Sequence, residues 1–387
     1  MSIIARDKRI KEPYESLYKL NIGLSFDEFE AEEAMLEIFK EKIPHKRVSL
    51  LTMLLNGIMI KGPTVSEVKG LINASLSLDG ILKTPKPRIK LPNEELLVGV
   101  ASSGKKGVKT INITTPSSFI AAACGAYTAK ACSHSTSSKT GSSDFLEIIG
   151  ININIPLKEK IEILQEKKIS FFSIEDTTPN FAEVYKGIFY APHAMSFALA
   201  GLSFPVEIDA LAYGLSHPNI KLSLEVYKEY GFKEVLVYSS SEDGIHFIDE
   251  LPISGHVNLI GMKNGEVGRQ ITTNIKDTFP FTPSQNLNEL AEKKDQIDNV
   301  RASLRVLCGM GSKSQTDIMC INAAPIILLA GKVKSLKEGY LLAKKNLEEG
   351  RVFKLFLEVL ELYGGNRNKI MNMIGKSNNQ LILKSKE

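Results

Sequence analysis

Residues 96–150 read LLVGVASSGKKGVKTINITTPSSFIAAACGAYTAKACSHSTSSKTGSSDFLEIIG, and this stretch decides the fold. Leu96 to Ala101 is a short, continuous apolar run, which is how a strand buried on both faces of a parallel sheet reads. Ser102-Ser103-Gly104-Lys105-Lys106-Gly107 follows as a loop. Small residues there let backbone N–H groups turn toward an anion, and two lysines add positive charge; the plain alternative is a solvated turn. In Asn112-Ile113-Thr114-Thr115-Pro116, Thr115 fits a helix N-cap and Pro116 the first helical position. A helix N-terminus beside the Lys/Gly loop suits phosphate. The run Pro116 to Lys130 reads as helical. It leads into Lys130 to Asp144, which holds eight Ser or Thr residues with Lys130, His134 and Lys139, and then into a helix over Ser142 to Ile149.

Upstream the pattern is helical. Ser25 with Glu28, and Thr64 with Glu67, are capping-box pairs that start helices. His45 to Lys61 carries Val48, Leu50, Leu51, Leu54, Leu55 and Ile58 at helical spacing. Gly80 ends this region, and Lys83 to Pro92 (KTPKPRIKLP) is a linker whose prolines fit neither a helix interior nor a central strand. Downstream, short apolar strands at Ile169 to Ile174 and Glu234 to Tyr238 alternate with helical stretches, as in an α/β domain. Asn264-Gly265 signals a hairpin. Leu287 to Leu362 is again helical, and the end of the chain from Gly364 is polar and poorly patterned.

The chain has 387 residues with 48 Lys and Arg against 44 Asp and Glu, a net charge of +4. That mild excess allows phosphate ligands but lacks the concentrated basic character of a dedicated DNA binder. Hydrophobic residues at 43% with 24% charged exclude wholesale disorder. No apolar run reaches the ~18 residues of a membrane span. The N-terminus MSIIARDKRIKEPYE is charged almost from its start and does not read as a secretory signal. Cys124, Cys132, Cys308 and Cys320 match neither zinc nor disulfide spacings. The chain therefore reads as cytoplasmic and reduced.

The central stretch resembles the anthranilate phosphoribosyltransferase family of tryptophan biosynthesis. That family carries a strand followed by GTGGD, then NxST at a helix start, then KHGN, SSKSGSAD and VLEALG. The corresponding text here is SSGKKG, Asn112-Ile113-Thr114-Thr115, Lys130, Ser137-Ser138-Lys139-Thr140-Gly141-Ser142-Ser143-Asp144 and FLEIIG. Asp249-Glu250 looks like the acidic pair in the family's GLDE. Tyr190-Ala191-Pro192-His193-Ala194-Met195 looks like a shortened FAPxxHPAM, and Asn322-Ala323-Ala324 with the text after it looks like the C-terminal helices. Nearly the whole chain is covered.

The resemblance implies a small all-helical domain and a larger α/β domain with a mainly parallel central sheet, of the nucleoside phosphorylase and phosphoribosyltransferase type. The expected boundaries are a helical domain at 1–82 with a returning helical segment near 186–214, an α/β phosphate-binding domain at 93–185 and 215–364, and a loose tail at 365–387. It further implies a homodimer, a substrate cleft between the domains, and transfer of ribose 5-phosphate from phosphoribosyl pyrophosphate to a small nitrogenous acceptor, without a covalent nucleophile. In that scheme Ser102, Ser103, Gly104, Lys105, Lys106, Asn112, Thr114, Thr115, Lys130 and Ser142 hold phosphate. Asp249 and Glu250, with Thr114, hold Mg²⁺. Cys132, Ser133, His134 and His193 face the acceptor.

The departures fall where specificity lives. Counting back from Asn112, the aspartate of GTGGD has become Lys106. KHGN has become Lys130-Ala131-Cys132-Ser133, and Ser196 to Gly214 contains no Arg or Lys to pair with an anthranilate carboxylate. A buried carboxylate without its bidentate partner costs about 2 kcal/mol or more. An acceptor other than anthranilate is therefore expected. Two further readings stay open, a nucleoside phosphorylase-like enzyme acting with phosphate and a non-catalytic nucleic-acid-binding homologue, nucleic acid being the less favoured partner.

Overall fold

The apolar run after the linker is the strand β1 (Leu97–Ser102), and the sheet is built outward from it in both directions. The structure, a computed structural model, describes residues 13–135, 138–187, 189–279 and 287–375. On one side of β1 lie β2 (Tyr127–Cys132) and β3 (Ile169–Ser173); on the other lie β4 (Ala210–Gly214) and β5 (Glu234–Ser241). These five run parallel, with Val100 opposite Lys130 and Ser102 opposite Gly214. β6 (His256–Lys263), β7 (Glu266–Val267) and β8 (Ile271–Asn274) complete the edge in antiparallel pairing. Asn264 and Gly265 turn β6 into β7 with φ of 51° and 79°, the left-handed pair that a tight hairpin needs.

Successive strand residues feed two cores, because side chains alternate across a sheet. Val98, Val100, Phe171 and Ala212 face the C-terminal helices, where Phe119 meets Phe356 edge to face at 5.3 Å. Leu97, Ala101, Leu211, Tyr213 and Val237 face the side that also holds the N-terminal helices α1 (Tyr14–Asn21), α2 (Glu28–Lys40), α3 (Pro44–Lys61) and α4 (Val65–Ser77). The Thr64–Glu67 capping box is present as read. The α2 box is Asp27 with Glu30 rather than Ser25 with Glu28. Val48 lies at the edge of the α3 stripe and is exposed, whereas Leu50, Leu51, Leu54, Leu55 and Ile58 are buried.

Four further sequence expectations are corrected. The helix α5 spans Thr114–Ala123 with Ile113 at the N-cap, so Thr115 and Pro116 sit inside its first turn. The run to Lys130 is not one helix, because Gly125 takes φ of 97° and ends it, and Tyr127–Cys132 becomes a central strand. Among the described residues of 186–214 helix occurs only as short turns, at Ala194–Phe197 and Leu199–Leu202, and Ala210–Gly214 is a sheet strand. The region after Gly364 is also not wholly loose, since Arg367–Ile374 is a helix capped by Asn366; residues 376–387 lie outside the described part. The helix α6 (Ser142–Ile149) has the bounds read from the sequence.

Candidate active site

The strand order reverses at β1. Chain growth runs from β1 to β2 and β3 on one side and then returns to β4 on the other. Loops leaving the carboxyl ends of β1 and β4 therefore diverge and leave a crevice, the usual ligand position in an open α/β sheet. A cleft of about 460 Å³ lies there. Of the expected site residues, all but Cys132 line it: Ser102, Ser103, Gly104, Lys105, Lys106, Asn112, Thr114, Thr115, Lys130, Ser133, His134, Ser142, His193, Asp249 and Glu250. Cys132 is a correction. Its side chain is packed into the core that faces the C-terminal helices, and burial pushes its thiol up.

The floor of the cleft is the loop after β1. Ser103 N–H donates to Gly214 O at 2.9 Å, and Ser103 Oγ accepts from Ser216 N at 2.8 Å, so the loop is pinned to the end of β4. Gly104 and Lys105 both take positive φ, and Gly104 N–H donates to Asp249 Oδ2 at 2.8 Å. Asp249 and Glu250 follow β5, where Ile248 pairs with Ser240 and Ser240 Oγ donates to Glu250 O at 2.6 Å. The Asp249 backbone passes so close to Gly214 that a Cβ there would lie 1.9 Å from Asp249 O. No other residue fits that position.

The acidic pair is deeply buried, Asp249 at 2% and Glu250 at 3% exposure. Lys106 Nζ donates to Glu250 Oε1 and to Thr110 Oγ1, both at 2.6 Å. Burial would lower Lys106, but the charges of Glu250 and Asp249 carry it above its ordinary value. Burial, with Asp249 beside it, pushes Glu250 up to about 7 against the pull of Lys106. At 2.6 Å the pair is an ion pair, and we take Lys106 as charged. The other oxygens, Asp249 Oδ1 and Glu250 Oε2, are buried without a hydrogen-bond partner among the described residues.

The resemblance places magnesium on this pair, and the two orphaned oxygens are suited to a cation. Lys106, however, already puts a positive charge against the same carboxylate. Two unit charges ~4 Å apart in a partly buried site interact by about 4 kcal/mol, so the ammonium offsets roughly the attraction that one of the two carboxylates would offer a dication. With the ammonium in place, the donor set does not fit a divalent ion. A separate group of metal-capable atoms, His134, Asp144 and Glu147, lies within 4.8 Å at the cleft mouth. Its atoms are already engaged, Asp144 by the Ser135 and Gly141 N–H groups and Glu147 by His134.

The roof is α5 and the Ser/Thr loop. As at any helix start, the first-turn N–H groups of α5 have no acceptor within the helix. Asn112 Nδ2 donates to Gly141 O at 3.1 Å and Thr140 O at 3.3 Å, bracing this loop, while Asn112 Oδ1 is buried without a partner among the described residues. Ser142 Oγ accepts from Ser133 N at 3.0 Å. Lys130 is buried and donates to Ala131 O; burial lowers its ammonium.

The far end of the cleft is aromatic. Phe181, Tyr185 and Phe189 stack in series, with centroids 5.0 Å and 5.4 Å apart, and Lys105 Nζ lies 5.8 Å from the Tyr185 ring. Burial pulls Lys105 down to about 8. His193, also buried, meets the Tyr185 hydroxyl through Nε2 at 2.5 Å, and its Nδ1 has no partner among the described residues. Burial first, then Lys105, holds His193 well below its ordinary value, so its imidazole is neutral. His134 instead stands at the mouth with Glu147.

Several contributors were not singled out from the sequence. Tyr185, Tyr213 and Thr110 line the cleft, and Gly214 lets Asp249 approach. Asn322, matched only as part of the C-terminal helices, grips the backbone beside the acidic pair. Its Oδ1 accepts from Leu251 N and its Nδ2 donates to Leu251 O, each at 2.8 Å. A buried asparagine in an apolar helix was the available signal.

Residues 94–353 match the family model described as glycosyl transferase family, a/b domain. The anthranilate phosphoribosyltransferase of Petrotoga mobilis is 30% identical over 345 residues, covering 88% of this chain and 93% of the relative. That of Dictyoglomus thermophilum is 28% identical, covering 89% and 98%. Among solved structures, the anthranilate phosphoribosyltransferase of Thermus thermophilus superposes with a TM-score of 0.71 at 22% identity, covering 90% of this chain and 99% of that one. The Saccharomyces cerevisiae enzyme in complex with PRPP (phosphoribosyl pyrophosphate) and Mg gives 0.70 at 14% identity, covering 90% and 97%. These two structural likenesses concern the fold.

Proposed function

The chain belongs to the anthranilate phosphoribosyltransferase family, and from that premise we propose that it transfers ribose 5-phosphate from phosphoribosyl pyrophosphate to a nitrogen acceptor other than anthranilate. The observation that carries the donor half is the convergence in one cleft of the Ser102 to Gly107 loop, the start of α5, Ser142 and the lysines 105, 106, 109 and 130. In the reaction the acceptor nitrogen forms a bond to C1 of the ribose. The C1–O bond to the diphosphate breaks with its electron pair, and the nitrogen gives up a proton. Fixed donors and ammonium groups stabilise the charge that gathers on the leaving oxygens, and no covalent intermediate is required.

The acceptor half rests on what lines the other end. Among the described lining residues there is no arginine, and the segment after His193 presents Met195, Ser196, Leu199, Ala200 and Tyr213. A carboxylate held by two-point recognition calls for a guanidinium fork, which an ammonium cannot reproduce. The stacked rings of Phe181 and Tyr185 favour a flat acceptor. We place His193 on that side, where a neutral imidazole takes up the nitrogen's proton. We also place a dimer contact on the helical layer, supported by the exposed apolar side chains Tyr18, Ile22, Phe29, Met53 and Ile60. Among the described residues no helix is long and apolar enough to cross a membrane.

Calorimetric titration with phosphoribosyl pyrophosphate, inorganic phosphate and single-stranded DNA tests the reading. Saturable binding of phosphoribosyl pyrophosphate, tighter than that of phosphate, is expected. Phosphate as the preferred ligand would replace this reading with phosphorolysis, and DNA as the only ligand would replace it with a binding protein.

A further inference from the structure

Resting on that reading of the donor site, we propose that Lys106 supplies the positive charge at the acidic pair, so that the diphosphate group binds without a divalent metal. The cation is built into the chain. Lys106 Nζ is 2.6 Å from Glu250 Oε1, and the lysine is steered there by a second donor contact to Thr110 Oγ1. Its side chain is only 16% exposed, so it is not a surface lysine swinging across a cleft.

The charge count around the floor agrees. Lys105, Lys106, Lys109, Lys130 and Lys186 line the same cleft as Glu175, Asp249 and Glu250, five potential cations against three carboxylates. An excess of ammonium groups attracts an anionic diphosphate directly and leaves a dication without a favourable seat. The carboxylates keep separate tasks. Asp249 Oδ2 accepts from the Gly104 amide, which holds the loop in its left-handed turn, and Glu250 Oε1 fixes Lys106. The other oxygens, Asp249 Oδ1 and Glu250 Oε2, stay buried without a hydrogen-bond partner among the described residues.

Calorimetry separates this inference from the reading beneath it. Phosphoribosyl pyrophosphate and inorganic pyrophosphate are titrated into the wild-type chain in excess EDTA and in excess Mg²⁺. Lys106→Met, Lys106→Arg and Lys106→Asp are treated in the same way. Wild type is expected to bind in EDTA, and Lys106→Met to lose roughly tenfold to a hundredfold in affinity there. Lys106→Arg, which keeps the charge, is expected to retain most of it. Lys106→Asp is expected to bind only when Mg²⁺ is present. Thermal melts of each variant show that the fold is intact, and Lys106→Arg serves as the test if removal of the charge unfolds the chain. Wild-type binding that appears only with Mg²⁺ would overturn the inference and leave the donor reading standing. Absence of binding in both media would remove the donor reading and the inference together.

Discussion

The Gly104 amide donates to Asp249 Oδ2 at 2.8 Å, a contact between a loop at the end of β1 and a carboxylate 145 positions later in the chain. This bond joins the two halves of the cleft floor. It sets the left-handed turn at Gly104 and Lys105, from which Lys106 reaches Glu250.

Replacing Asp249 by alanine leaves the Gly104 N–H without an acceptor, and we expect a stability loss of about 1–3 kcal/mol. Asp249→Asn keeps an oxygen at the same place and should lose clearly less. Urea unfolding of the two variants checks this. Equal losses would show that the charge of Asp249, rather than its hydrogen bond, holds the loop.

Asn322 satisfies both the N–H and the C=O of Leu251, next to Glu250. Asn322→Ala orphans both groups, at roughly 1–3 kcal/mol for each buried group left unpaired. We expect weaker binding of phosphoribosyl pyrophosphate as the acidic pair loosens. A variant within ~0.5 kcal/mol of wild type, the range of neutral surface changes, would show that the clamp contributes nothing.

How much of this was legible in sequence depends on the range of the interaction. α6, the Thr64 capping box and the Asn264-Gly265 hairpin are set by neighbours a few residues apart, and their readings match the structure. β2 (YTAKAC) and β4 (ALAYG) were not read as strands, because alanine has poor β propensity and helix-like alanine text precedes β2. Both are central strands packed from above and below, where small side chains are favoured by space rather than by backbone preference. The site residues were legible as a motif and fifteen expected lining residues do meet in one cleft, but their pairing was not. Lys106 meets Glu250 across 144 positions, and no local pattern encodes that contact.

His193 gives a pH signature. Its folded pKa lies well below its ordinary value, so the unfolded chain binds the proton more readily. Stability therefore rises with pH through this group, is fully present above about 6.5, and is lost as pH falls toward the folded value. The slope from one such group is at most about 1.4 kcal/mol per pH unit. Comparing wild type with His193→Gln between pH 7.5 and 5 isolates it. The wild type should lose more stability on acidification than the variant, and parallel curves would show His193 to be solvated.

Anthranilate should be a poor acceptor. Steady-state kinetics with anthranilate and phosphoribosyl pyrophosphate are expected to give kcat/KM below ~10⁴ M⁻¹s⁻¹, the lower end of ordinary enzymes. A higher value would mean that Lys186, which lines the cleft beside Tyr185, replaces the missing fork.

The most direct test of the account is a crystal structure grown with phosphoribosyl pyrophosphate. The diphosphate is predicted to lie between the Ser103 to Lys106 loop and the first turn of α5, with Lys106 between it and Glu250. A crystal in which that cleft stays empty while the compound binds elsewhere, at a concentration that saturates the protein in solution, would contradict the assignment of the donor site.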